Sequence, residues 1–178
     1  MRRREFLQIV IAGTTALLFP SRLLSAGLLS GGNNVSLRCL GSRTGGFLDG
    51  RTGDGSVGLA PSLTPQFSGT KWHVFSGGGR VSLKCMGSIE GNRFLVGRTK
   101  EGSVGLAPNF NPPSTRWKVF PVDPNNPDIV SLSCLGEVPD LLLAAHPENG
   151  TVGLSRNRED VNTRWEVKLY PVRIDTND

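Results

Sequence analysis

Three cysteines recur at similar intervals and are the residues whose spacing most readily suggests chemistry. Cys39, Cys85 and Cys134 are separated by 46 and then 49 residues. Three thiolates can hold a zinc ion when a fourth ligand comes from elsewhere, but no histidine stands at a matching position and no Cys-x-x-Cys pair occurs. We interpret all three as buried free thiols that act as small apolar core residues, with a metal site or a disulfide as the alternatives.

The other reactive side chains do not form a catalytic pattern. The two histidines, His73 and His146, stand in unrelated contexts, and neither combines with a nucleophile and an acid in a way typical of hydrolases. No glycine-rich loop follows a strand and opens a helix, as a phosphate-binding loop would. We therefore expect a non-catalytic protein with no cofactor.

The positive charge of the chain is concentrated at its start. The 178 residues carry a net charge of +5, but from Gly27 onward there are only 16 basic and 14 acidic residues. The positive charge that would favour a nucleic-acid partner is therefore largely confined to the start of the chain. The remaining length suits one domain, which we expect to be monomeric.

Residues 1–26 have the pattern of an export signal. Several arginines precede an apolar run from Ile9 to Leu18, and small residues end the segment at Ser25 and Ala26. The run is shorter than a membrane span, so no membrane association is expected beyond a leader that is not cleaved. The RREFLQ segment resembles the twin-arginine export signal, which implies a periplasmic or secreted protein. We expect a flexible lead-in over 27–34 and a loose tail over 171–178.

One sequence repeat occurs three times in the rest of the chain. VSLRCLG, VSLKCMG and VSLSCLG open repeats that we place at 35–80, 81–129 and 130–170. Each continues with an apolar pair, then GSVGLAP or the near copy GTVGLS, and then TKW or TRW. Such a period indicates a fold built from repeated structural units.

Each repeat contains four short runs with strand character. In the first run, Val35, Leu37 and Cys39 alternate with polar residues, which is the period of a half-buried strand. The second and third runs flank a tight turn that closes on Gly55 in the first repeat, and on Gly102 and Gly150 in the others. A glycine there supplies the positive φ that such a hairpin needs. The chain is therefore predicted to be all-β, with about twelve strands.

Three four-stranded repeats of about this length resemble a β-trefoil, in which a six-stranded barrel is capped by three hairpins. The closing T-[KR]-W-x-V motif is similar to both the ricin-B-like and the fascin-like forms of that fold. The resemblance implies that the three tryptophans lie in the core, at Trp72, Trp117 and Trp165. The glycine at the centre of each repeated phrase, Gly58 in the first, suggests that another chain segment packs closely against it.

The resemblance to ricin-B-like trefoils also implies carbohydrate binding in shallow pockets beside the hairpins. Asp49 is the matching acid in the first repeat, and Arg51 and Asp54 could add polar contacts. Phe67 and Phe110 lie in the loops that follow GSVGLAP and are the candidate aromatic platforms. The alternative is that Asp49 only supports the adjacent turn.

A second hypothesis is recognition of an envelope or extracellular protein, as in inhibitor-type trefoils. The loops around Phe67 and Phe110 would then form a contact patch, together with a basic outer face made of Lys71, Arg116 and Arg164. Carbohydrate is the leading ligand, because the matching acid is present in the first repeat.

Overall fold

A computed structural model of the chain describes residues 27–42, 46–88 and 93–170. These residues form twelve strands, four in each repeat. The first repeat contains β1 (Asn34–Cys39), β2 (Phe47–Arg51), β3 (Ser56–Ala60) and β4 (Trp72–Gly77). The second contains β5 (Arg80–Cys85), β6 (Phe94–Arg98), β7 (Ser103–Ala107) and β8 (Trp117–Asp123). The third contains β9 (Asn126–Cys134), β10 (Leu142–His146), β11 (Thr151–Ser155) and β12 (Trp165–Leu169).

Short 3₁₀ turns precede the closing strand of every repeat, at Pro65–Thr70, Pro113–Thr115 and Val161–Thr163. Within the described residues, no helix has the length and hydrophobicity needed to cross a membrane. The predicted leader and tail lie outside the described residues.

The first and fourth strands of the repeats form a closed antiparallel barrel. β1 pairs with β4, β4 with β5, β5 with β8, β8 with β9, β9 with β12, and β12 with β1. The second and third strands of each repeat form a hairpin, and the three hairpins also pair with one another. The predicted all-β, three-repeat β-trefoil is confirmed.

The repeated glycine phrase holds the three hairpins together. The carbonyl oxygen of the glycine that closes each turn accepts a hydrogen bond from a leucine N–H of a neighbouring hairpin. The three bonds run from Leu59 to Gly150, from Leu106 to Gly55 and from Leu154 to Gly102, at 2.8–2.9 Å. A Cβ on Gly58 would lie 3.1 Å from the oxygen of Gly150, so the prediction of a close approach is confirmed. Each hairpin thus requires the other two.

The centre of the barrel is built from the repeated tryptophans and cysteines. The tryptophans are completely buried, and the indole N–H of each donates to a leucine carbonyl of the second strand in its own repeat. Each cysteine lies across the sheet from a tryptophan, and all three are buried free thiols. Within the described part of the chain, no cluster of His, Cys, Asp and Glu is arranged to hold a metal ion.

The segment before β1 differs from the flexible lead-in expected over 27–34. Leu29 is 97% buried and belongs to the hydrophobic core, with Leu28 packed against it. The Asn33 side chain donates to the carbonyl oxygens of Gly27 and Leu28, and the Gly32 N–H donates to Val74. The prediction rested on the glycines and serines and did not take account of Leu28 and Leu29, whose apolar side chains pack into the core.

Candidate functional site

Asp49 lies in the middle of β2 on the side of the hairpin that faces away from the core. Its neighbours Leu48 and Gly50 point inward, and Gly50 packs against Cys85 and Trp72. Asp49 pairs across the hairpin with Gly58, and the 3₁₀ turn at Pro65–Thr70 passes over it. That approach needs Gly69, because a Cβ there would collide with the carboxylate of Asp49 and with the carbonyl oxygen of Gly50.

Asp49 is mostly buried as a residue, but its carboxylate makes no hydrogen bond within the described fold. The residue is 8% exposed, and it accepts no hydrogen bond from the residues that the structure describes. Burial raises the pKa of Asp49, and the positive charge of Arg51 partly opposes that shift. The carboxylate oxygens are open to the adjoining cavity, so water or a ligand can supply their donors. Nothing in the described structure shows Asp49 supporting the adjacent turn.

Four of the five predicted ligand-binding residues meet in one cavity. Asp49, Arg51, Asp54 and Phe67 line an open cavity of about 480 Å³ between the β2–β3 turn and the 3₁₀ turn. Gln66 and Ser88 also line it, and the sequence analysis did not identify either. Cavities of about 300–1,000 Å³ are typical of small-molecule sites.

Asp54 has a structural role in the turn. Its Oδ1 accepts hydrogen bonds from the N–H of Ser56 at 2.8 Å and from the Ser56 hydroxyl at 2.7 Å. These bonds lower the pKa of Asp54. Asn149 makes the same two bonds to Thr151 in the third repeat. Turn support, which we considered for Asp49, therefore belongs to Asp54, and only its second oxygen is left for a ligand.

Phe110 does not join the other predicted site residues. It is 50% exposed and lies against Phe75, with the ring centroids 6.3 Å apart and the rings nearly parallel. Phe67 is half-buried and lines the cavity of Asp49. A single contact patch containing Phe67 and Phe110 is therefore not formed. Sequence order suggested equivalent loops, but equivalent loops of a trefoil lie on different sides of the barrel.

The basic residues predicted to form one outer face are also dispersed. Lys71 lies over the ring of Tyr170, with 5.7 Å between Nζ and the ring centroid. Arg164 donates to the carbonyl oxygen of Glu159 at 3.3 Å, and Arg116 lines a cavity beside Phe110. The three residues occupy equivalent positions in the three repeats, and each has a different local environment.

The other two repeats have cavities beside their hairpins but lack the acid. In the second repeat, Val96 replaces Asp49 in a cavity of about 490 Å³, and Lys100 pairs with Glu137 at 2.7 Å across its lining. In the third, a cavity of about 590 Å³ lies beside the hairpin turn at Pro147 and Glu148, and Ala144, the residue equivalent to Asp49, is buried. A carboxylate held in this way is therefore found in the first repeat alone among the three.

The two histidines have unrelated surroundings. Nδ1 of His73 lies 3.1 Å from Oδ1 of Asn34, and Nδ1 of His146 lies 3.7 Å from Oε1 of Glu148. His146 occupies the position of Arg51 in the third hairpin, where it packs over Gly153. Both histidines thus contact residues of their own surroundings in the fold.

Comparison with known proteins supports the fold and does not assign a family. No family model and no curated protein matches the sequence. Among solved structures, BEL beta-trefoil has a TM-score of 0.62 and 14% identity, over 83% of this chain and 99% of that one. SeviL bound to asialo-GM1 saccharide has a TM-score of 0.58 and 13% identity, over 79% and 99% of the two chains.

A larger protein also contains a similar structure. The GlcNAcα1-4Gal releasing endo-β-galactosidase from Clostridium perfringens has a TM-score of 0.63 and 18% identity, over 78% of this chain. The match covers only 33% of the enzyme. These likenesses establish the β-trefoil fold, whose solved examples include carbohydrate-binding proteins.

Proposed function

We propose that the protein is an exported, non-catalytic, monomeric binding module that binds carbohydrate at the cavity of the first repeat. The observation that carries this proposal is Asp49, whose carboxylate accepts no hydrogen bond from the described residues and lines an open cavity. The leader pattern of residues 1–26 supports export. The saccharide-bound SeviL structure supports the ligand class by analogy of fold.

The residues that line the cavity can bind both the hydroxyl groups and the apolar C–H face of a sugar ring. A carboxylate can accept hydrogen bonds from two neighbouring hydroxyl groups. Arg51 and Gln66 can donate to ring or hydroxyl oxygens, and the ring of Phe67 offers an apolar surface for the C–H face of a pyranose. The cavity is shallow, so we expect recognition of a terminal sugar unit.

A glycan array followed by calorimetric titration of the best neutral ligand tests the proposal. Asp49→Asn keeps the size of the side chain and removes its charge, and a hydrogen bond to a charged group contributes about 1.5–3 kcal/mol. We therefore expect the affinity to fall at least about tenfold.

The matched control is Asp128→Asn, which removes the same charge from an exposed position of β9. We expect it to leave the affinity unchanged. Absence of binding to any glycan at high protein concentration would contradict the proposal. So would equal affinities of the wild type and Asp49→Asn.

A further inference from the structure

An exposed aromatic cluster lies on the outer surface where the first and second repeats meet. The rings of Phe75, Phe94 and Phe110 are mutual neighbours, with centroids 5.5–6.3 Å apart. His73 adds an edge contact to Phe75 at 4.9 Å. Phe75 is 42% exposed and Phe110 is 50% exposed, whereas Phe94 is buried beneath them. We call Phe75, Phe94 and Phe110 the aromatic shelf.

The junction between the second and third repeats shows that the fold does not need this exposed apolar surface. Phe120 occupies the position of Phe75 there, and Arg158 occupies the position of Phe110. The guanidinium of Arg158 lies 5.4 Å from the ring centroid of Phe120, and Nζ of Lys118 lies 4.9 Å from it. Cations thus cover the ring of Phe120, whereas Phe75 and Phe110 face solvent. Contiguous exposed apolar surface of this kind is a common mark of a binding site.

The charges beside the aromatic shelf are all positive. Phe75 and Phe110 line a cavity of about 420 Å³ together with Arg80 and Arg116, and its lining contains no carboxylate. Neither arginine forms an ion pair with any residue that the structure describes. Two guanidinium groups without an ion pair among the described residues create a local field that favours an anion, and their fork of N–H donors matches a carboxylate.

We propose that this cavity binds an acidic saccharide, with a sugar ring on the aromatic shelf and its carboxylate on Arg80 and Arg116. The rings of Phe75 and Phe110 are stacked with their planes 7° apart, and both residues remain partly exposed, so the exposed side of the pair can contact the apolar face of a pyranose. The cavity is distinct from that of Asp49, and this inference does not depend on the function proposed above.

A peptide fits the same surface less well. Peptides commonly gain affinity by adding a strand to an exposed sheet edge, and the adjacent strands β4, β5 and β8 are already paired on both sides within the closed barrel. A ligand must therefore be held by side chains, as a saccharide is.

Calorimetric titration of the full protein with tetragalacturonate, a linear chain of four uronic acids, tests the inference. We expect binding at low salt that weakens when sodium chloride rises from 50 to 300 mM, because the contacts are partly ionic. We expect the fully methyl-esterified tetramer, which lacks the carboxylates, to bind at least about tenfold more weakly. Equal binding of the two tetramers, or no binding of either, would overturn the inference.

Four variants then locate the site. Arg116→Ala and Phe110→Ala should each weaken tetragalacturonate binding about tenfold or more. Arg156→Ala removes the same charge from an exposed position in the third repeat and should change the affinity less than twofold. Asp49→Asn should leave tetragalacturonate binding unchanged, so failure of this inference is separable from failure of the neutral-sugar proposal.

Two outcomes would count against the location or the ligand class. If Arg156→Ala weakens binding as much as Arg116→Ala does, the protein attracts the tetramer through its general charge and the assigned site is wrong. If the acidic peptide Glu-Phe-Glu-Phe binds more tightly than tetragalacturonate, and Phe110→Ala abolishes that binding, the partner is a protein and the saccharide assignment is wrong. An unchanged thermal midpoint confirms that each variant is folded.

Discussion

Replacing Gly97 by alanine should destabilise the protein, because the added methyl group has no room. A Cβ on Gly97 would lie 2.5 Å from the Sγ of Cys134, and 3.2 Å from the Cη2 of Trp117. Both neighbours are almost completely buried, so neither can move into solvent. The backbone of Gly97 does not have a positive φ, and the penalty is therefore one of packing.

The magnitude follows from two opposing effects. Inserting a methylene into a tightly packed core costs about 1–3 kcal/mol. The loss of unfolded-state freedom on changing glycine to alanine stabilises the folded state by about 0.4–1 kcal/mol. We expect a net loss of about 1–2 kcal/mol in the free energy of unfolding, or roughly 2–8 °C in the melting temperature.

The thiol of Cys134 is the specific cause, and a double-mutant cycle tests it. In a Cys134→Ala background the Sγ is gone, so Gly97→Ala should cost at least about 0.5 kcal/mol less than in the wild type. The third repeat provides the control, because it already carries Ala145 at this position. There Ala145→Gly should be destabilising, by about 0.5–1 kcal/mol.

Urea unfolding followed by the fluorescence of the buried tryptophans, under reducing conditions, measures all of these changes. A neutral or stabilising effect of Gly97→Ala would refute the packing argument. An equal cost in both backgrounds would show that the thiol is not the cause.

Three further predictions concern other buried groups. Burial raises the pKa of Asp49. Its contribution to stability is therefore present below the unfolded pKa of about 3.9 and is lost as the pH rises through the folded pKa. The gain in unfolding free energy on Asp49→Asn, measured by urea unfolding, should be greater at pH 7 than at pH 3. Burial raises the pKa of Cys85 to about 11, so at pH 8 its native thiol should react with a disulfide reagent at least about a hundredfold more slowly than after unfolding, and equal rates would contradict its burial. Leu29→Ala should lower the unfolding free energy by about 2 kcal/mol, whereas no change would show that the lead-in is not part of the core.

The repeats and the places where they differ have separate roles in this protein. What the three units share builds the frame: the tryptophan and cysteine pairs across the barrel, and the glycine carbonyl bonds between hairpins. The differences that bear on ligand binding line cavities open to solvent. Asp49 in the first unit and the Phe75–Phe110 pair at the first junction have no counterparts elsewhere. Both proposed ligand sites are therefore found where the pseudo-symmetry is broken.

The candidate site was predictable where its residues are close in sequence. Asp49, Arg51 and Asp54 belong to one hairpin, and Phe67 follows within the same repeat, so local spacing was enough to place them together. Gln66 and Ser88 carry no distinctive signal. Phe75 could not be matched to Phe110 from local spacing, because their contact joins two repeats that pair through the barrel.

The sequence by itself determined the strands, their number and the threefold repetition, because alternation and turn glycines are local properties that recur in the same order. It also determined which residues are apolar enough to form the core. Only the tertiary structure decided that Asp49 has no hydrogen-bond partner among the described residues, that Leu29 joins the core, and that Phe67 and Phe110 face different cavities. Those facts depend on contacts between segments distant in the chain, where the closing of the barrel sets the neighbours.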